Sequence, residues 1–135
     1  MNDQEFLAAF ESGTLSHGEF PHRAHIRMAW LVLRRDGWEP GFQNIRVGIQ
    51  HFARAHGATR KYHETITRFW ALVVFHALTL DPEIADFEEF AAAFPHMLDT
   101  QIILRHYSRD LLGSDAARHA WVEPDIEPMP ADMVR

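Results

Sequence analysis

The chain has 135 residues, a formal net charge of -6 and no cysteine. This length fits one domain with one hydrophobic core, and the lack of cysteine excludes disulfides, thiolate metal sites and a cysteine nucleophile. No apolar run approaches the about 20 residues that span a bilayer, and the negative charge argues against general nucleic-acid binding. The first ten residues, MNDQEFLAAF, lack the basic region of a signal peptide, so we predict a cytoplasmic location.

Helical patterns dominate the first half of the chain. Residues 3–10 predict a short amphipathic helix with Phe6, Leu7 and Phe10 on its apolar side. Pro21 is typical of a first helical turn, and the helix that it opens is predicted to end at Gly37. A third helix is predicted from about residue 40 to Gly57, because its apolar residues recur at helical spacing.

The second half predicts further helices and then an extended tail. Thr59 is a candidate cap for a fourth helix to about residue 78, and Asp81-Pro82 predicts the start of a fifth, which Pro95 ends. A sixth is predicted to about residue 107, and Ser114 caps a last short one. We therefore predict an all-α, compact single-domain bundle of about six helices over residues 1–121.

Residues 122–135 contain three prolines and no hydrophobic period. They predict an extended strap over the domain or a disordered end. If the tail packs, its anchors are predicted to be Val122, Ile126 and Met129.

Several of the ten histidines fall on the apolar sides of predicted helices. On a helical wheel, His22 and His25 share the side that carries Ile26 and Leu33. In the fourth helix, His63 and Thr67 share the side of Trp70 and Val74, and Glu64 lies at its edge. Since a buried imidazole needs a partner, these positions indicate a common site.

Histidine with carboxylate is a typical ligand set for zinc, iron, manganese or copper. We therefore predict that His22, His25 and His63 bind a divalent transition metal in an internal pocket. Glu64 would be a fourth ligand or the general base of a metal-assisted reaction on a small molecule. No HExxH motif is present, and the sequence leaves open whether the protein is an enzyme.

The residues around this pocket predict contacts to the small molecule. Tyr62 and Thr67 flank His63 on its helix, so both are predicted to bind substrate. Arg105 and His106 are predicted to do so from a later helix, with Arg105 contacting an anionic group.

The charge is distributed unevenly along the chain. Residues 21–70 hold nine lysines and arginines against three acidic residues, and residues 71–135 hold four against twelve. The two segments could neutralise each other by packing together, or a basic mouth could attract an anionic ligand.

Two other interpretations use the same histidines. The pocket could bind a small molecule or perform acid–base chemistry without a metal. Alternatively, the histidines are core residues satisfied by hydrogen bonds in a structural or interaction protein. A homodimer through an exposed helix face with Met28 and Leu31 is also open.

Three stretches carry a resemblance: FPHRAHIRMAW, KYHETITRFW and RHYSRDLLGSDAARHAWVEPDIEPMP. Together they resemble a group of small uncharacterised bacterial all-helical proteins that share F-x-H-x-x-H and K-Y-H-E-T-type stretches. The resemblance spans residues 20–130 and implies that the three stretches belong to one unit. No activity or cofactor comes with it.

Overall fold

A computed structural model describes residues 1–58 and 61–130. Within these residues the fold is all-α, as predicted, and contains no strand. Short 3-10 helices lie at His17–Glu19, Pro95–Leu98 and Thr100–Arg105. The α-helices are α1 (Asp3–Ser12), α2 (His22–Asp36), α3 (Trp38–Ala55), α4 (Glu64–Leu80), α5 (Phe87–Ala93), α6 (Arg109–Leu112) and α7 (Asp115–His119).

Helix α2 forms the centre of the core and packs against α1, α3 and α4. Its apolar side is fully buried, with Ile26 and Trp30 both at 0% exposure. The helix ends at Gly37, whose φ of 75° lies in the left-handed region that favours glycine. Burial of this stripe stabilises the arrangement of the four helices.

Helices α3, α4 and α5 begin at other residues than predicted. Helix α3 begins at Trp38, and Pro40 lies in its first turn, where proline is tolerated. Helix α4 begins at Glu64, and the predicted cap Thr59 lies outside the described residues. Helix α5 begins after Asp86, which accepts a hydrogen bond from the Glu89 N–H at 2.9 Å. The start predicted at Asp81-Pro82 is wrong, because Asp86 supplies the cap.

The sixth predicted helix is replaced by the two 3-10 helices at 95–98 and 100–105. Asp99 separates them, with extended backbone and a side chain that accepts from the Gln101 N–H at 2.9 Å. Helix α6 follows and was not predicted. Its cap is Ser108, which accepts from the Leu111 N–H at 3.1 Å.

The tail is an extended strap as far as residue 130, and residues 131–135 lie outside the described part of the chain. The Ile126 N–H donates to the His106 carbonyl at 2.9 Å. Met129 is buried at 7% exposure and Val122 is half-buried. The prediction of Ile126 as an anchor is wrong, because its side chain is 59% exposed.

Met28 and Leu31 do not form the exposed helix face that was predicted for a homodimer. Met28 is 1% exposed and packs in the core. Leu31 is half-buried against the same core. Across the described ranges, no helix combines the length and the apolar character needed to cross a membrane.

Candidate functional site: a histidine-lined cavity

A cavity of about 390 Å³ lies between α2, α3 and α4. We call it the histidine cavity. It brings together five of the residues predicted from the sequence to form a site, namely His22, His25, Tyr62, His63 and Thr67. The rest of its lining is Ile26, Met28, Ala29, Ile45, Ile49, Lys61, Ile66, Trp70 and Ala71.

His22 uses one ring nitrogen within the protein. Its Nε2–H donates to the Met97 carbonyl at 2.9 Å, which fixes the proton on Nε2 because a carbonyl can only accept. The ring also meets Trp70 edge-on, with centroids 4.5 Å apart. In the neutral ring, Nδ1 therefore keeps a lone pair that can accept a hydrogen bond.

His25 is stacked on the Phe20 ring, with centroids 3.8 Å apart. Burial, followed by the proximity of His22, lowers the pKa of His25 to about 4, against the opposing hydrogen bond to the Phe20 backbone. The imidazole is therefore neutral at neutral pH. The neutral His25 ring therefore gives the cavity wall a polar surface without a charge.

His63 uses both ring nitrogens. Its Nδ1 accepts from the Ile66 N–H at 3.1 Å, so His63 is the N-cap of α4. Its Nε2–H donates to the Leu112 carbonyl at 2.7 Å. These bonds fix the neutral tautomer and tie the start of α4 to the end of α6.

Thr67 and Tyr62 complete the polar side of the cavity. The Thr67 hydroxyl donates to the His63 carbonyl at 2.7 Å, and the Tyr62 hydroxyl donates to Glu64 Oε1 at 2.6 Å. Burial and then the bond to Glu64 raise the pKa of Tyr62, so the phenol stays protonated. Both oxygens can still accept a hydrogen bond from a ligand.

Glu64 faces away from the histidine cavity. Arg46 Nε donates to its Oε1 at 3.0 Å, and Arg46 also holds Oε2. Burial alone would raise the pKa of Glu64, but the hydrogen bonds from Arg46 and Tyr62 lower it below its ordinary value. The structure therefore places an ionised, engaged carboxylate outside the cavity for which the sequence predicted a base.

Arg105 and His106 do not line the cavity either. Arg105 is exposed, and the ring of His106 lies under the strap, where Nδ1–H donates to the Glu127 carbonyl at 2.8 Å. The two residues predicted to bind substrate from this part of the chain are thus separate from the other five.

The histidine cavity, as it is hydrogen-bonded here, offers few free nitrogens to a metal ion. Among the described residues, no group of three or more His, Asp or Glu side chains is arranged to hold an ion. The reason lies in the hydrogen bonds: His63 has no nitrogen to spare, and His22 has one.

The structure adds lining residues that the sequence reasoning did not assign. Lys61 is the only lysine in the chain, it is exposed, and it makes no ion pair with a described residue. The sequence feature that could have identified Lys61 as a lining residue is its position next to Tyr62. Ile45 and Ile49 come from the apolar stripe of α3, which marks core residues in general and gives no sign of a cavity.

No family model, no curated protein and no solved structure matches the chain.

Proposed function

We propose that the protein binds a small, largely apolar organic acid in the histidine cavity. The observation that carries this proposal is the lining: apolar side chains, three imidazoles and one lysine, with no aspartate or glutamate among them. The volume of about 390 Å³ is in the range of small-molecule sites. An anionic group would meet no like charge on the described walls.

Lys61 is the natural partner of the carboxylate. Its ammonium makes no ion pair with a described residue, so a bound anion does not have to displace one. A charged hydrogen bond of this kind contributes about 1.5–3 kcal/mol, which corresponds to an affinity change of about ten-fold or more.

His22 is the polar group best suited to interact with the rest of the ligand. Its Nδ1 accepts a hydrogen bond when the ring is neutral and donates one when the ring is protonated. If the protein catalyses a reaction, His22 is therefore our candidate for proton transfer, because His63 has both nitrogens engaged.

Calorimetric titration with phenylacetate and with its neutral amide tests the proposal. We expect the acid to bind and the amide to bind at least about ten-fold more weakly. Lys61→Met should weaken phenylacetate binding about ten-fold, whereas Arg109→Gln, an exposed cation outside the cavity, should not change it. Equal binding of acid and amide, or an unaffected Lys61 variant, would contradict the proposal.

A divalent transition metal on His22, His25 and His63 stays an alternative occupant. It would require the His63 ring to give up the Leu112 carbonyl or the Ile66 N–H. Titration with Zn²⁺ and metal analysis of untagged protein separate the two occupants. Stoichiometric metal that is lost in the His22→Ala and His63→Ala variants would favour the metal over the organic acid.

A further inference from the structure

A second, larger concavity of about 960 Å³ lies between α3 and α7. We call it the arginine groove. Arg46, Gln50 and Arg54 line one wall along one face of α3. The opposite wall is lined by Asp115, Arg118, His119 and Trp121. Tyr62 is the only described residue that lines both this groove and the histidine cavity, so the two spaces are neighbours with separate walls.

Arg46 and Arg54, on the α3 wall of the groove, differ in how their guanidinium groups are paired. Arg46 is fully engaged, with Glu64 on one side and the Gln43 side chain at 2.6 Å on the other. Arg54 is exposed and makes no ion pair with a described residue. Both carboxylate oxygens of Glu64 accept hydrogen bonds from Arg46 or Tyr62, and no ion pair joins Glu64 to Arg54. Three arginines and two carboxylates, Glu64 and Asp115, line the groove, so its described lining carries one positive charge in excess.

Trp121 adds a flat apolar surface to this wall, and a further cation lies against it. The Arg68 guanidinium is 5.5 Å from the centre of the Trp121 ring, and its buried Nε has no hydrogen-bond partner among the described residues. Burial raises the pKa of Glu64, and Arg68 helps the Arg46 and Tyr62 hydrogen bonds to lower it. Trp121 thus gives the groove an aromatic surface, and its ring also contacts a cation outside the groove lining.

We propose that the arginine groove binds a phosphate ester that carries a flat ring. A phosphate dianion can accept from guanidinium groups on both walls, and the planar donor fork of arginine matches its oxygens. The ring packs on the Trp121 indole. Arg54 and Arg118 hold the phosphate, and the site is independent of the organic acid proposed for the histidine cavity.

Calorimetry with phenyl phosphate, phenol and inorganic phosphate on the full chain tests this site. We expect phenyl phosphate to bind more tightly than either fragment, and its affinity to fall as salt is added. Arg54→Gln and Arg118→Gln should each weaken it about ten-fold. Trp121→Leu should weaken phenyl phosphate more than inorganic phosphate, with circular dichroism as the check of folding.

Two controls locate the ligand. Arg109→Gln, outside both spaces, should leave the affinity unchanged, and Lys61→Met should do the same because Lys61 lines only the histidine cavity. Absence of phenyl phosphate binding at about 1 mM would overturn the proposal. It would also be overturned by an unchanged affinity in Arg54→Gln, an exposed position whose replacement does not threaten the fold. Loss of binding in Lys61→Met alone would overturn it as well.

Discussion

The three imidazoles of the histidine cavity are held by three different kinds of contact. His63 is bonded at both nitrogens, His22 at one, and His25 is packed on an aromatic ring. Similar positions on the apolar sides of helices therefore lead to different roles. His63 is a structural residue, and His22 keeps a nitrogen that can act on a ligand.

The role of His63 predicts a measurable loss of stability. We expect His63→Ala to lower the free energy of unfolding by about 2 kcal/mol, because it removes the α4 cap and leaves the Leu112 carbonyl without its donor. His63→Asn keeps a capping oxygen and should recover about half of this loss. Urea denaturation measures both variants.

The matched control is His51→Ala, because His51 is exposed on α3. Its effect should stay below about 0.5 kcal/mol. Equal losses for His63→Ala and His63→Asn would show that the cap is not what His63 provides.

His25 predicts a pH dependence of stability. Its pKa is about 4 in the folded protein, against about 6.5 in the unfolded chain, so the unfolded state takes up the proton first. The stability due to the neutral ring is therefore complete above pH of about 6.5, falls as the pH decreases, and is lost by about pH 4. The full change is about 3 kcal/mol.

The measurement is the unfolding free energy of wild type minus that of His25→Gln, followed across this pH range. Because glutamine does not titrate, the wild type should lose about 3 kcal/mol of unfolding free energy relative to the variant on acidification. A difference that is independent of pH would mean that the His25 ring is protonated without cost in the folded state.

At the scale of elements, the strap is held by polar contacts to the segment before α6. Asp125 accepts from the Ser108 N–H at 2.8 Å and from its hydroxyl at 2.6 Å, and these bonds lower the pKa of Asp125. The buried Tyr107 hydroxyl donates to the Val122 carbonyl at 2.7 Å. The strap therefore satisfies a buried phenol that would otherwise lack an acceptor.

The strap offers a matched pair of substitutions. Met129→Ala should cost about 2 kcal/mol, because Met129 is 7% exposed and its removal leaves a cavity. Ile126→Ala should cost less than about 0.5 kcal/mol, because Ile126 is 59% exposed. Thermal or urea unfolding checks both, and similar losses at the two positions would contradict this packing of the strap.

For the whole molecule, some cations of the basic segment form ion pairs and others do not. Arginines of the basic segment pair with acidic residues that come earlier or later in the chain. The pairs are Arg27 with Asp3, Arg35 with Glu11 and Arg23 with Glu88. Arg54 and Lys61 make no ion pair with a described residue, and each lines one of the two concave spaces. Of these pairs, only Arg23 with Glu88 joins the two segments of opposite charge, and attraction of an anionic ligand by Arg54 and Lys61 stays a prediction.

Local sequence signals predicted much of the fold. The periodic apolar stripes identified α1 to α4 as helices, and Gly37 and Ser114 marked ends that the structure confirms. The predictions around residues 95–107 were less accurate, because Asp99 takes an extended backbone and divides the segment. Asp81 and Asp86 both resemble caps in sequence, and only the packing of α5 selects the second.

The sequence by itself predicted that His22, His25 and His63 point inward. Helical periodicity accounts for His22 and His25, whereas His63 is the extended N-cap that precedes α4. Only the tertiary structure decided what they meet. His22 bonds the carbonyl of Met97, 75 residues away, and His63 bonds the carbonyl of Leu112, 49 residues away. Every residue has a backbone carbonyl, so such a partner leaves no mark in the sequence. For this reason a cluster of inward histidines predicted a metal, whereas the fold supplies His22 and His63 with backbone oxygens.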